Sequence, residues 1–384
     1  MMIGILTPTS YNFGFKGEDM VRRPEKIVAG DTIGITAPSF GAVIEPYSLL
    51  YPIAVTNIRN RGYRIAEGST VHKSDGLGIS TNPKVCAAEL VDFYKREDIK
   101  AIISCGGGEL MNETINNIDF DELKGCRPKW FVGYSDNTNF IFPLVTISGV
   151  QAVYGPCIGG YAKVFEETEE YTFDILEGNR SSFDGLKRFV DPILEMEDGQ
   201  DESAQGELGQ TVYTDEMLRA PYAYNADREL VCYDCSGGIA QKSSDKEYVM
   251  QGMLLGGCLD ILVNLCGTRF DRMKEFTQEN QDIIWVLEAC DLSPMSIRRS
   301  IWNLREAGWF KGAKGFIIGR PENAWKQDMM GVNQYNAVTD ILSTLGVPII
   351  MDAEIGHVDP MLPVVMGAKA RVRVHSNDLN ISYL

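Results

Sequence analysis

The sequence predicts an α/β fold of two domains, a doubly wound, mainly parallel sheet first and a smaller α/β unit second. Three observations predict it. From Asp31 onward short apolar runs alternate with helical patterns, as in a parallel sheet covered on both faces by helices. That alternation breaks once, where ten carboxylates stand against two arginines between Glu195 and Glu229. The chain has 384 residues, 44% apolar and 23% charged, enough for two or three domains of about 100 to 200 residues with cores of their own.

The elements follow in order. The first 20 or so residues are rich in glycine and aromatics without periodicity and read as a loosely held extension, 1–21. Asp31 to Ala37 is a buried strand stopped by Pro38, and Pro46 to Arg61 a helix closed by Gly62. Tyr63 to Ala66 is a second strand, Pro83 to Arg96 a helix, and Ala101 to Ser104 a strand entering the turn Cys105-Gly106-Gly107-Gly108. Trp130 to Gly133 is a strand that runs through Tyr134-Ser135-Asp136-Asn137 into the apolar helix Thr138 to Ile147. These define a first domain, 22–190, followed by an acidic connecting excursion, 191–249, with little apolar periodicity. In the second domain, 250–384, Gly252 to Leu255 is a strand, Gly256-Gly257 a small-residue turn and Leu259 to Leu265 a helix. Ile283 to Glu288, Ala313 to Ile318 and Val347 to Met351 are strands, with helices at Ser296 to Ala307 and Asn333 to Leu345. Ala370 to Val374 and Asn380 to Tyr383 close the sheet.

Charge and cysteine usage narrow the function. Thirty-six basic against 53 acidic residues give a net charge of −17, which repels phosphate backbones and acidic lipid, so neither nucleic acid nor membrane is an expected partner. No apolar run reaches the roughly 18 residues of a membrane span, and the N-terminus lacks the pattern of an export signal. Nine cysteines scattered in apolar runs read as reduced thiols of a cytoplasmic protein. Cys232 and Cys235 form one CxxC, but no second pair or nearby histidine completes a zinc site, and no metal or cofactor is expected.

Reactive groups of open α/β sheets lie just past the carboxyl ends of strands. Ser135 lies there, at a sharp strand-to-helix turn that leaves the Asp136 amide free to face an oxyanion. Half of the G-x-S-x-G elbow is present, position 137 being Asn, and taken alone such a serine is as a rule a helix N-cap. Glu288 ends the apolar run IIWVL, where a carboxylate needs a partner to offset its desolvation. His357, one of three histidines, sits in a Gly-flanked loop after another strand. Each alone has a dull explanation; together they make the nucleophile, orienter and base of acyl transfer. His72 and His375 lie in polar surroundings and read as surface residues. Gly106-Gly107-Gly108 lacks a following GK[ST] and precedes Glu109, so it suits an oxyanion-hole amide better than a phosphate. Arg298, Arg299 and Arg305 read as a solvated helix face, from which one arginine could hold a substrate carboxylate.

At these residues the sequence resembles the LD-carboxypeptidase family of serine peptidases, which includes murein tetrapeptide carboxypeptidases and microcin C immunity peptidases. The matching segments are GDTIGITAPS (Gly30 to Ser39), ISCGGGE (Ile103 to Glu109), IDFDEL (Ile118 to Leu123), PKWFVGYSDNT (Pro128 to Thr138), LLGGCLDILVNLCGT (Leu254 to Thr268), LEACDLSP (Leu287 to Pro294) and GHVDPMLPVVMGAKARV (Gly356 to Val372). The resemblance implies that Ser135 is the nucleophile, Glu288 the acid and His357 the base, with an oxyanion hole from the Asp136 amide and Gly107 or Gly108. It also implies an active site in the groove between the two domains and a homodimer. The chain departs from the family pattern at Cys258-Leu259-Asp260, where relatives often carry Asn-Leu-Ser.

The implied reaction is release of terminal D-alanine from a murein tetrapeptide. The runner-up is amide cleavage of a peptidyl-nucleotide, which would be favoured by a long loop between the domains and a nearby aromatic for base stacking, with Trp285, Trp302, Trp309 and Trp325 as candidates. A reading from another class is a non-catalytic binder of small ligands, in which Ser135 merely caps a helix.

Overall fold

The computed structural model describes residues 21–194, 213–243 and 245–384. The extension assigned to 1–21 lies outside them except for Val21, which is already buried, as does 195–212 of the acidic stretch. The strands are, in chain order, Thr32–Thr36 (β1), Arg64–Glu67 (β2), Ile99–Ser104 (β3), Trp130–Gly133 (β4), Ala152–Tyr154 (β5), Ser182–Asp184 (β6), Arg188–Phe189 (β7), Ala226–Asp227 (β8), Val231–Asp234 (β9) and Gln241–Lys242 (β10). They continue with Glu247–Cys258 (β11), Ile283–Glu288 (β12), Ala313–Gly319 (β13), Asp328–Met329 (β14), Val332–Asn333 (β15), Ile349–Ala353 (β16), Val364–Met366 (β17), Lys369–His375 (β18) and Asp378–Tyr383 (β19).

The first sheet has six strands in the order β17-β5-β4-β3-β1-β2. Every pair is parallel except β17 with β5. Its inner strands are mostly apolar, β1 and β4 being buried at every position, as a sheet covered on both faces requires. Helices Tyr47–Asn60, Pro83–Lys95 and Thr138–Thr146 link or cover these strands, close to the ranges read from periodicity. The helix Pro83–Lys95 starts on an Asn82 side chain that accepts the Lys84 amide, with proline in its first turn. The helix Glu167–Glu177 is not legible from periodicity, because its acidic first turn and mixed apolar spacing lie in a stretch without a strong period.

The second sheet has nine strands in the order β10-β9-β16-β13-β12-β11-β18-β19-β6. Its centre is parallel, β11, β12, β13 and β16, and its flanks antiparallel. By strand count it is the larger sheet, where a smaller unit was expected, because it recruits strands from outside 250–384. β9 and β10 come from the stretch assigned to the acidic connection and β6 from the stretch assigned to the first domain. In β9 the buried Val231 and Cys232 supply the apolar contact. Arg228 of that stretch forms a fully buried ion pair with Glu354 at 2.6 Å.

A second difference concerns Gly256-Gly257. The pair was expected to turn; instead β11 runs straight through it to Cys258, which pairs with Glu288. A Cβ on Gly256, at φ +151, would stand 1.8 Å from the Val286 carbonyl oxygen. Glycine is there to let two strands approach, not to reverse the chain.

Candidate active site

β4 delivers the serine. The chain leaves Gly133, and Ser135 takes φ 62 at the start of a short 3-10 turn, Ser135–Asn137, that leads into the helix Thr138–Thr146. A non-glycine residue in left-handed space is strained and persists where its surroundings hold it. Here they do. Asn137, the residue that spoils the G-x-S-x-G pattern, donates through Nδ2 to the Gly106 and Tyr134 carbonyls at 3.0 and 2.9 Å. Asp136 is fully buried; its carboxylate accepts from Ser39 Oγ at 2.5 Å, the Met111 amide at 2.9 Å and Asn139 Nδ2 at 2.7 Å. Burial raises its pKa against these hydrogen bonds, which lower it. The elbow is therefore tied to the loop after β1, to the chain entering Met111–Ile115 and to its own helix.

The glycine turn after β3 packs on the serine. A Cβ on Gly107 would meet Ser135 Cβ at 3.1 Å and Oγ at 3.3 Å, whereas one on Gly108 would meet Ser39 Oγ and the Phe40 ring. Among the described residues no backbone carbonyl receives the amides of Gly107, Gly108 or Asp136.

Glu288 and His357 arrive from the second sheet. Glu288, buried at the end of β12, takes the His357 imidazole Nδ1 on its Oε2 at 2.9 Å. His357 lies in the loop after β16, and Gly356 before it, at φ +104, has no Cβ because one would fall 2.5 Å from Glu288 Oε2. Burial acts to raise the Glu288 pKa, but the imidazolium charge and hydrogen bond, with donors Tyr154 and Cys258, pull it below the ordinary value. For His357 burial acts downward and is outweighed by Glu288, Glu322 and Asp260, which lift the pKa to about 9.

Tyr154 joins the two halves. Its buried hydroxyl donates to Glu288 Oε1 at 2.5 Å and accepts the Ser135 amide at 3.1 Å. Burial, then the Glu288 charge, hold the phenol pKa well above 10, so it stays a donor. Tyr134, next to the serine, places its ring 5.0 Å from the imidazole. Ser135, Glu288 and His357 thus belong to one cluster, linked by a tyrosine that sequence reading passed over. In the run AVY it looks like core packing; its polar end is the only signal, since a buried hydroxyl needs a partner.

Around this cluster the side chains are acidic. Glu109 has its pKa raised by partial burial and by Asp291, Asp136 and Asp260, and lowered by His357. Asp260 accepts the amides of Cys290 and Asp291 at 3.1 and 2.9 Å, bracing the loop after β12. The other sequence candidates lie elsewhere. His72 is exposed beside Glu67, and His375 is exposed on β18. Arg298 and Arg305 reach across to the helix Gln334–Leu342, while Arg299 bonds Ser296. Trp285 and Trp309 are stacked in the core, Trp302 is exposed on its helix, and Trp325 donates to Asp191 and packs on Val358. All nine cysteines are free, and Cys232 and Cys235 enter no three-residue ligating group among the described residues.

Comparison with known proteins matches both lobes. Residues 33–155 fit the LD-carboxypeptidase N-terminal domain and 251–372 the LD-carboxypeptidase C-terminal domain. Ser135 falls in the first segment, Glu288 and His357 in the second. The chain is 24% identical to the microcin C7 self-immunity protein MccF of Escherichia coli, over 93% of this chain and 94% of that one. It is 21% identical to a probable murein peptide carboxypeptidase of Bacillus subtilis, over 91% and 90%. A structure of MccF in complex with glutamyl sulfamoyl guanosine superposes with TM-score 0.71 at 19% identity, covering 94% of this chain and 98% of that one. The muramoyltetrapeptide carboxypeptidase of Oxalobacter formigenes gives 0.64 at 18%, covering 92% and 98%.

Proposed function

The chain belongs to the LD-carboxypeptidase family of serine peptidases, and from that premise we propose that Ser135, His357 and Glu288 are its catalytic relay. The observation that carries this reading is the continuous hydrogen-bonded path from the Ser135 amide through Tyr154 and Glu288 to His357 Nδ1. His357, held in one tautomer by Glu288, takes the Ser135 proton through its other ring nitrogen as Oγ attacks an amide carbonyl. The oxyanion forms beside the unengaged amides of Asp136 and of Gly107 or Gly108. Collapse expels the amine with a proton from His357, and water then releases the acyl group from Ser135. Since the imidazole must be neutral to act, its raised pKa makes hydrolysis climb as the pH rises toward about 9.

The substrate we propose is a murein-type tetrapeptide, cleaved to release terminal D-alanine. The acidic surroundings, Glu109, Asp260 and Asp291, favour a peptide bearing an amino group near the scissile bond. None of the four tryptophans offers a free face beside His357: two are core, one is hydrogen-bonded and packed, and Trp302 faces solvent from its helix. A cytoplasmic location, supported by the nine free thiols, and a homodimer complete the reading; among the described residues no helix is long and apolar enough to cross a membrane.

The test pairs two substrates with one variant. Purified protein is incubated with a tetrapeptide ending in D-alanine and with an aminoacyl-nucleotide, and released D-alanine and amino acid are measured. Ser135→Ala should lose about 10³-fold or more in turnover with an unchanged melting temperature. Undiminished hydrolysis by that variant would remove the assignment, and preference for the nucleotide would overturn the substrate.

A further inference from the structure

Three ligating chemistries meet beside the relay that the hydrolytic reading does not use together. Cys290 lies two residues past Glu288, Glu322 in the loop after β13 and His357 in the loop after β16. One ligand atom from each lies within 4.8 Å of the others. The cluster is built rather than accidental: the Cys290 thiol donates to Glu322 Oε2 at 3.2 Å. The amides of Glu322 and Asn323 donate to the carbonyls of Ala289 and Cys290 at 3.0 and 2.9 Å, clipping the two loops together. His357 Nδ1 is engaged by Glu288, so Nε2 is the nitrogen left to bind.

We propose that Cys290 Sγ, the Glu322 carboxylate and His357 Nε2 form a zinc site whose occupation switches the peptidase off. A thiolate, an imidazole and a carboxylate suit Zn²⁺ and not Mg²⁺ or Ca²⁺, which take oxygen ligands. Bonds of about 2.3 Å to sulfur and about 2.0 to 2.2 Å to nitrogen and oxygen set tetrahedral ligand atoms roughly 3.5 Å apart. Ligand atoms as much as 4.8 Å apart must therefore close by up to about 1.3 Å, a movement that a rotamer change at Glu322, whose side chain is exposed, supplies. Glu288 already stands where zinc-bound histidines place a carboxylate, on the other ring nitrogen. The acidic side chains nearby, Asp260 and Asp291, draw the cation in. On binding, the thiol proton leaves to solvent as the sulfur–zinc bond forms, and the fourth position stays open to water. With Nε2 metallated the base cannot take the Ser135 proton. Metal binding stands on the cluster alone; the inhibitory consequence rests on the peptidase reading.

Cobalt supplies the direct probe, through the thiolate-to-metal absorption that a Co²⁺–sulfur bond creates. The chelator-treated, reduced full chain and its Ser135→Ala form are titrated with Co²⁺, which is then displaced by Zn²⁺. Both should develop the band and Cys290→Ser should not, with zinc affinity in that variant down by more than about 100-fold, beyond the 10- to 100-fold typical of outer-shell changes. In hydrolysis assays Zn²⁺ should inhibit the wild type reversibly, with activity restored by chelator, while Cys290→Ser keeps its activity in zinc. An unchanged band or zinc affinity in Cys290→Ser means adventitious binding by other thiols or surface carboxylates and overturns the site. Wild type that binds zinc through Cys290 but never hydrolyses a peptide would instead refute the peptidase reading and leave the metal site standing.

Discussion

Replacing Tyr154 by phenylalanine removes one oxygen from a fully buried position and nothing else. That oxygen makes two hydrogen bonds, one to a charged carboxylate at 2.5 Å and one from the Ser135 amide at 3.1 Å. A hydrogen bond to a charged group contributes about 1.5 to 3 kcal/mol, and an orphaned buried amide adds a desolvation cost of similar size. Glu288 keeps His357 as a partner, so the carboxylate is weakened rather than stranded. If the bridge serves to hold nucleophile and acid in register, the first term reappears in the barrier as a loss of about 10- to 150-fold in kcat, at about 1.4 kcal/mol per tenfold. KM should move little, because the hydroxyl touches no solvent-facing surface. Steady-state kinetics on Tyr154→Phe, with thermal melting of the same preparation, separate the outcomes. A lower kcat at unchanged KM supports the bridge. A lower melting temperature at unchanged kcat refutes it, since the hydroxyl would then be holding only the fold.

Three further expectations follow from the same geometry. Glu288→Gln removes the charge that outweighs burial at His357, so the ascending limb of kcat/KM, with its midpoint near pH 9 in the wild type, should shift down toward or below the ordinary histidine value of about 6.5. Its plateau should fall by about 10² to 10⁴, read from pH profiles recorded in chelator. Gly107→Ala places a methyl 3.1 Å from Ser135 Cβ; the chain should fold normally but lose about 10²-fold in kcat through misplacement of the nucleophile. Gly256→Ala drives a Cβ to 1.8 Å from the Val286 carbonyl oxygen and should cost about 3 kcal/mol or more of stability in urea unfolding, because backbone cannot step aside as a side chain can.

What was legible in the sequence was what is local. β4, β12 and the helix Thr138–Thr146 stand within one residue of their sequence-read bounds, because a buried parallel strand is an unbroken apolar run and the helix after it keeps its own period. Two of the proposed reactive side chains stood out for a related reason: a carboxylate closing IIWVL, or a histidine after a glycine in the loop that follows an apolar strand, contradicts its setting. What was illegible is what depends on a distant neighbour. Gly256-Gly257 has the composition of a turn, and only the closeness of β12 shows that it belongs to a strand. Tyr154 has the composition of core, and only the arrival of Glu288 gives its hydroxyl a purpose. Asn137 looked like a defect in the elbow until Gly106 came within 3.0 Å of it.

The same non-local pairings bear on how the proposed relay, divided between two lobes, keeps hydrogen-bond precision. Tyr154 is the last residue of β5 and pairs with Val364 of β17, a strand that the C-terminal half lends to the first sheet. Three residues later the chain is back in the second sheet as β18, beside β11. β11 in turn ends at Cys258, whose amide donates to Thr138 Oγ1 at the start of the helix after the serine, 3.0 Å away. The lobes are therefore fastened on both sides of the Ser135–Tyr154–Glu288 path, by a shared strand on one and a helix-to-strand bond on the other. The Ser135 turn and the Glu288–His357 pair share one hydrogen-bonded frame before substrate arrives, which in the proposed reaction is the condition under which fixed dipoles lower a barrier without a reorganisation cost.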